Sequence, residues 1–175
     1  MSEHDGGLRP VSCRTLIADV GPVDVLDRCG AADPFLCPGG LVLRALSPEA
    51  DAVLHDDAAT AHLADRLASD RLVAVTEMPG WCLLTETGTR LGLTAAAALS
   101  RGTTLVSYAP GEFRWHQDGE LRLRFDAGRW DGPEAPKFGE YGVGEDLVDR
   151  LTGIRLTPTT IAGAVCLCAT APPSP

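Results

Sequence analysis

Residues 101–126, RGTTLVSYAPGEFRWHQDGELRLRFD, contain three short runs rich in β-branched and aromatic side chains. Pro110-Gly111 and Asp118-Gly119 separate these runs, and both pairs are typical of tight turns. The stretch therefore predicts three antiparallel strands that follow one another as a meander.

The loop around Asp118-Gly119 allows two registers for the second pair of strands. A two-residue loop places Trp115 opposite Arg122 and mixes aromatic and charged side chains on both faces. A three-residue loop over residues 117–119, with the glycine as a left-handed bulge, places Trp115 opposite Leu121 and keeps one face apolar. Because a one-residue slip would expose that apolar set, we expect the three-residue loop.

The expected register assigns each side chain of the meander to a face. The core face carries Phe113, Trp115, Leu121, Leu123 and Phe125. The opposite face carries Glu112, Arg114, His116, Glu120, Arg122 and Arg124, with Arg114 opposite Arg122. Residues 101–130 hold five basic and four acidic side chains, although the whole chain has a net charge of −9. An acidic partner would explain this contrast, and a solvated face of mixed charge is the simpler interpretation.

These considerations select a set of candidate binding residues. The set is Arg114, His116, Arg122, Arg124 and Trp130. Trp130 belongs to it because it lies in a Gly- and Pro-rich loop, whereas Trp81 and Trp115 are expected in the core.

A second hairpin is predicted upstream, where residues 72–76 and 81–85 flank Pro79-Gly80, a pair that suits a type II turn. Further strands are expected at residues 13–18 and 41–46, and loops at 31–40 and 127–144. Helices are expected at 22–29, 57–69, 94–99, 145–151 and 158–167.

Together these elements predict an α+β fold with one antiparallel sheet, built from the hairpin and the meander, and with helices packed on one face. The length of 175 residues predicts a single domain, which we place at residues 11–170, between disordered tails at 1–10 and 171–175.

Composition excludes several classes of partner. A net charge of −9 argues against nonspecific binding to nucleic acid or to an anionic membrane. The polar N-terminus predicts no signal peptide, so we expect a cytoplasmic protein with six reduced cysteines. No two of these cysteines have CxxC spacing, and the sequence predicts neither a metal site nor a cofactor.

Four groups of residues have side chains of the types used in catalytic or metal sites. His55-Asp56-Asp57 with His62 has metal-ligand types, but the aspartates are better explained as a helix cap. The other three are Cys82 with His116 as a nucleophile pair, Cys166 with Cys168, and Glu77 with Glu86 as a carboxylate pair. In each case packing or ordinary surface exposure is the simpler interpretation.

No familiar catalytic or phosphate-binding motif occurs. GxGxxG, GxxxxGK[ST], GxSxG and HExxH are all absent from the chain. Whether the protein is an enzyme is therefore open at this point.

Several segments, in the order in which they occur along the chain, resemble those of a protein family. They are CRTLIADVGPVDVLDRCG (13–30), VAVTEMPGWCLLTETG (73–88), LSRGTTLVS (99–107), FRWHQDGELRLRFD (113–126) and LTGIRLT (151–157). This order is similar to an actinobacterial family of unknown function, catalogued as family 6461. The chain departs from the family in having only a short stretch between Gly128 and Leu151, where members often carry more helix. The resemblance implies a fold and supplies no activity and no catalytic residue.

Two functional hypotheses follow. The first is a non-catalytic cytoplasmic binding or accessory protein, of immunity type or serving a biosynthetic locus, whose acidic surface engages another protein. The alternative is a small enzyme that acts on an anionic substrate with His116 and the nearby arginines, beneath the loop at 128–144.

Overall fold

The computed structural model describes residues 13–45, 63, 71–138 and 145–173, in which nine antiparallel strands form one sheet. The strands are β1 (Cys13–Ala18), β2 (Ala32–Pro38), β3 (Leu72–Met78), β4 (Trp81–Glu86), β5 (Thr104–Ala109), β6 (Glu112–Gln117), β7 (Glu120–Asp126), β8 (Arg129–Asp131) and β9 (Val165–Thr170). Their order across the sheet is β2-β9-β3-β4-β1-β5-β6-β7-β8. The predicted α+β class with an antiparallel sheet is confirmed.

Helices cover both faces of this sheet. They are α1 (Pro22–Cys29), α2 (Gly39–Ala45), α3 (Leu91–Thr94), α4 (Ala96–Leu99), α5 (Ala135–Phe138), α6 (Glu145–Thr152) and α7 (Pro158–Ala162). We call the side of α1 and α4 the α1 face; there Val25 and Leu99 belong to the same core cluster as Ile17. On the other side, the α6 face, Val148 and Ile161 belong to the same core cluster as Leu16. The expectation of helices on one face alone is therefore wrong, because the central strands carry apolar side chains on both faces of the sheet.

The meander forms as predicted, but with a different register. Asp118 and Gly119 both have positive φ, 50° and 81°, as a two-residue type I′ turn requires. Gln117 pairs with Glu120, and a β-bulge then shifts the ladder so that Trp115 pairs with Leu123. The expected three-residue loop is wrong, but the bulge has the effect that was expected of the loop, which is to place the apolar side chains on one face. It returns Trp115, Leu123 and the aromatic side chains beside them to one apolar face.

Four other predictions about local structure are wrong. The predicted loop at 31–40 holds strand β2, and the predicted strand at 41–46 is part of helix α2. The predicted helix at 158–167 ends at Ala162, and β9 follows it. The predicted loop at 127–144 contains β8 and α5 within its described part.

Other predicted elements are confirmed. Helix α1 begins at Pro22 and ends before Gly30, whose φ of 66° is the left-handed cap. The β3–β4 hairpin turns at Pro79-Gly80, where Gly80 has a φ of 74°. The predicted helix at 57–69 and both predicted tails lie largely outside the described residues, apart from the buried Leu63 and residues 171–173. No described helix has the length and apolar character needed to cross a membrane.

Candidate functional site

The predicted binding residues lie in the β6–β7–β8 part of the sheet, but they do not share one surface. Arg114 and Arg124 are direct cross-strand partners, and His116 lies on the same strand face as Arg114. Trp130 pairs with Phe125 and packs edge-on against it, with ring centroids 4.9 Å apart. Since Phe125 belongs to the α6 face, Trp130 lies across the sheet from His116.

Each arginine of the set already has a carboxylate partner within the chain. Arg114 donates to the carbonyls of Phe113 and Phe125 at 2.9 and 3.1 Å and lies 3.5 Å from an Asp126 carboxylate oxygen. Arg122 contacts Glu134 at 2.8 Å, and Arg124 pairs with Asp131. The bulge changes the predicted like-charge pair, because Arg124 and not Arg122 lies opposite Arg114, and each of these two arginines has its own carboxylate partner. These ion pairs neutralise the positive charge that a bound anion would otherwise balance.

His116 is buried, with 8% of its surface exposed. Its Nδ1 atom has no hydrogen-bond partner among the residues that the structure describes. Burial lowers the pKa of His116 below the ordinary 6.5, and the positive charge of Arg114 lowers it further. The imidazole is therefore neutral at pH 7, and it lies among apolar neighbours such as its cross-strand partner Leu105.

We expect this histidine to make stability depend on pH. Its pKa is lower in the folded chain than in the unfolded one, so acidification puts a proton on the unfolded state first. The free energy of unfolding should fall as pH drops from about 6.5 through the lowered folded pKa. Chemical denaturation of the wild type and of His116→Gln at a series of pH values measures this. A slope of equal size in both proteins over that window would contradict the assignment.

The most elaborate polar arrangement surrounds Glu86, which is 0% exposed at the end of β4. One carboxylate oxygen accepts the Leu91 N–H at 2.6 Å and the Thr89 hydroxyl at 2.9 Å. The other accepts the Gly92 N–H at 2.8 Å. Burial raises the pKa of Glu86, and the hydrogen bonds oppose that shift only in part. The carboxylate thus ties the start of α3 to the sheet.

A short hydrogen-bonded chain continues from Glu86 beneath α3. The Cys13 thiol hydrogen-bonds Glu86 and lies 3.1 Å from the Ser107 hydroxyl, which is 2.9 Å from that of Thr15. Burial, together with the charge of Glu86, raises the pKa of Cys13 to about 12. The thiol is therefore protonated at neutral pH and a poor nucleophile, so this cluster holds the fold together.

All six cysteines are buried and unpaired. Because β9 is a strand, Cys166 and Cys168 share a face, the outcome expected for a strand rather than the predicted helix. Cys37 of β2 pairs directly with Cys166, whose sulfur lies 3.2 Å from the Thr76 hydroxyl. Within the described ranges no group of His, Cys, Asp and Glu could hold a metal ion, and the His55 cluster lies outside them.

Cys82 and His116, considered from the sequence as a nucleophile pair, are too far apart to react together. Cys82, Ile17, Leu105 and His116 are successive cross-strand partners. Three strand spacings of about 4.8 Å therefore separate Cys82 from His116.

The carboxylates of the hairpin are similarly separated. Glu77 is opposite Cys82 near the turn, whereas Glu86 is opposite Val73 at the other end. Four residues of β3 separate these positions, a distance of about 13 Å. Glu77 is also exposed while Glu86 is buried, so the two cannot share a proton.

A surface that sequence reasoning missed lies at the β2–β9 edge of the sheet. The exposed large hydrophobic residues of the described chain are Val23, Leu36 and Val165, at 62%, 73% and 64% exposure. All three lie on the α1 face; the exposed Asp24 follows Val23 in α1, and the exposed Glu77 of β3 is the neighbour of Val165 across the ladder. We call these five residues the α1–β9 patch. Recognising it required knowing that Ala32–Pro38 and Val165–Thr170 are paired strands, whereas a loop was predicted at 31–40 and a helix at 158–167.

The register explains how the patch is assembled. Val165 pairs with Pro38, and Leu36 pairs with the half-buried Leu167. Thr76 pairs with Cys166, so the next residues, Glu77 and Val165, are also neighbours. Glu77 is opposite Cys82, whose thiol donates to the Val20 carbonyl at 3.1 Å. This contact brings the first turn of α1 to the same end of the sheet.

Comparison with known proteins gives one match. A model of a family of unknown function, DUF6461, matches residues 2–137 of the chain. Neither the curated proteins nor the solved structures include a match. The matched residues include β1 to β8 and the Glu86 site, whereas β9 lies beyond them. The match spans well over half of the chain and includes four of the five segments that resemble the family, all but residues 151–157, so the chain belongs to this family of unknown function.

Proposed function

We propose that this protein works by binding another protein, without catalysis, as an accessory or immunity-type partner. The observation that carries the proposal is the α1–β9 patch. Burying an exposed Leu or Val side chain against a partner gains roughly 1.5–3 kcal/mol. Three such side chains on one face offer an apolar centre of the kind that protein interfaces use.

The condition of the polar groups supports the same proposal. The Glu86 carboxylate already accepts hydrogen bonds from its own chain, and the Cys13 thiol is buried and protonated. Arg122 and Arg124 are engaged by internal carboxylates. These groups contribute to stability where they are, and such use leaves them poorly placed to act on an anionic substrate.

Charge supports a basic protein as the partner. The chain carries a net charge of −9, which favours association with a positively charged surface and disfavours nucleic acid. We further propose that the protein acts in the cytoplasm, a compartment that keeps thiols such as its six unpaired cysteines reduced.

The proposal is tested by comparing three tagged proteins as baits in extract of the native host. They are the wild type, the double variant Leu36→Ser/Val165→Ser, and the control Arg129→Ser at the exposed β8. We expect a stoichiometric partner on the wild type and the control, lost from the double variant. Calorimetry with the purified partner should repeat this order, with affinity reduced at least about tenfold.

Two results would count against the proposal. One is a wild type that stays monomeric and without a partner. The other is a partner that the double variant retains in full. Thermal melts of all three baits ensure that any loss of binding reflects the patch and not unfolding.

A further inference from the structure

In the sheet formed by the described residues, the outer edge of β2 offers few donors to an added strand. The Gly39 N–H donates to the Ala164 carbonyl at 2.8 Å, so by strand alternation the N–H groups of Cys37 and Phe35 also face β9. Between Pro34 and Pro38, only Leu36 has an N–H that faces away from the sheet, because both prolines lack one. The ladder is also irregular between Ala32 and Phe35. Such an edge blocks continuous pairing with another chain.

The side chains beside this edge remain open to contact. Leu36 and Pro38 project to the α1 face, since Cys37 between them is buried on the other side. Val165 lies next to Pro38, and Glu77 lies next to Val165. A partner can therefore reach the α1–β9 patch only through side-chain contacts on the sheet face.

The acidic residues of the patch are not neutralised within the described chain. Asp24 and Glu77 are exposed, and no described ion pair involves either of them. Both lie close enough to Cys82 that their charges add to the effect of burial and raise its pKa to about 11. By contrast, the carboxylates of Asp131 and Glu134 at the other edge are paired with basic side chains.

We infer that the α1–β9 patch binds a protein segment that places an apolar side chain over Leu36 and Val165 and flanks it with lysine or arginine side chains that pair with Asp24 and Glu77. This inference rests on the proposed function and specifies the chemistry of the partner. A second copy of the chain fits poorly, because a two-fold interface here would bring the same carboxylates together.

The test uses two capped, fluorescently labelled heptapeptides, Lys-Leu-Lys-Trp-Lys-Leu-Lys and the same sequence with glutamate in place of lysine. Fluorescence anisotropy should detect binding of the lysine peptide alone, and added salt should weaken it. Asp24→Asn/Glu77→Gln should weaken binding about fivefold, as expected for two partly exposed ion pairs. Leu36→Ser should abolish it, and Glu120→Gln, which removes an exposed charge on β7, should have no effect.

A lysine peptide N-methylated at alternate residues separates the two modes of docking. Side-chain docking predicts unchanged affinity for this peptide, whereas strand addition predicts its loss and would overturn the inference. Failure of the lysine peptide to bind, equal binding of both peptides, or a wild-type dimer that Leu36→Ser dissociates would also overturn it.

The two proposals can fail separately. A natural partner that is lost from Leu36→Ser/Val165→Ser but is indifferent to Asp24→Asn/Glu77→Gln keeps the proposed function and refutes the charge recognition. A partner indifferent to both variants refutes both proposals.

Discussion

Glu86→Ala is expected to lower the free energy of unfolding by about 4 kcal/mol, because it leaves several buried donors without an acceptor. The Leu91 and Gly92 N–H groups and the Thr89 hydroxyl all donate to this carboxylate. Alanine supplies no acceptor, and a buried N–H or hydroxyl that loses its partner costs roughly 1–3 kcal/mol. Urea denaturation followed by circular dichroism measures the change.

Glu86→Gln is the matched variant for the Glu86→Ala prediction. It keeps the shape and one acceptor oxygen but turns an amide N–H₂ toward a donor, so its loss should fall between the wild type and alanine. If Glu86→Ala costs less than about 1 kcal/mol, the carboxylate does not hold α3 to the sheet.

The wild type and Glu86→Gln together test the effect of burial on the pKa of Glu86. That pKa is higher in the folded chain than the ordinary 4.5, so the folded state holds the proton over a wider range than the unfolded state. The free energy of unfolding should therefore fall as pH rises from about 4.5 through the raised pKa. Glu86→Gln lacks this component, and the difference between the two pH profiles isolates it.

Gly39→Ala is expected to destabilise the protein by about 3 kcal/mol or more, as overpacking against an immobile neighbour does. A Cβ atom at this position would overlap the Ile161 carbonyl oxygen and lie 2.8 Å from its carbonyl carbon and 3.0 Å from the Ala164 oxygen. These are backbone atoms, so no change of side-chain rotamer can relieve the overlap. The transition measured in urea should move to a clearly lower concentration.

Gly40→Ala, one residue away in the same helix, is the control for Gly39→Ala. A Cβ there would lie 3.7 Å from the Ala162 oxygen, which is an ordinary contact. Alanine should leave stability unchanged or raise it by about 0.5–1 kcal/mol through its greater helix propensity. Equal losses at Gly39 and Gly40 would show that the close approach of α2 to α7 does not control stability.

The elements predictable from sequence are those whose signals are local. Pro22 and Gly30 mark both ends of α1, and Pro79-Gly80 and Asp118-Gly119 mark their hairpin turns. The bulge beyond Asp118-Gly119 was not predictable, because it depends on which face of the meander becomes buried. Either a β-bulge or a longer loop can turn the apolar side chains to the buried face, and the sequence alone does not distinguish the two.

Strands β2 and β9 were missed because their signals favour other structures. Pro34 and Pro38 are typical of a loop, and they are tolerated in a strand only because β2 is an edge strand with those positions facing outward. The run VCLCAT follows a helix and is apolar on both faces, which does not distinguish a strand from a helix continuation.

The candidate site was only partly predictable for the same reason. The positions of Arg114 and His116 on one strand face follow from alternation, but the pairing of Arg122 with Glu134 and of Arg124 with Asp131 depends on β8. The burial of Glu86 was missed, since an acid at a strand end is ordinarily exposed.

The position of β9 between β2 and β3 has a consequence for the order of assembly on the ribosome. β2 pairs only with β9 in the described sheet, and Ala32 of β2 is opposite Thr170. When β2 and the β3–β4 hairpin have left the ribosome, neither β2 nor β3 can pair with β9 until that last strand has been synthesised. During synthesis β3 therefore presents an open hydrogen-bonding edge and apolar side chains, the state in which chaperones recognise incomplete chains.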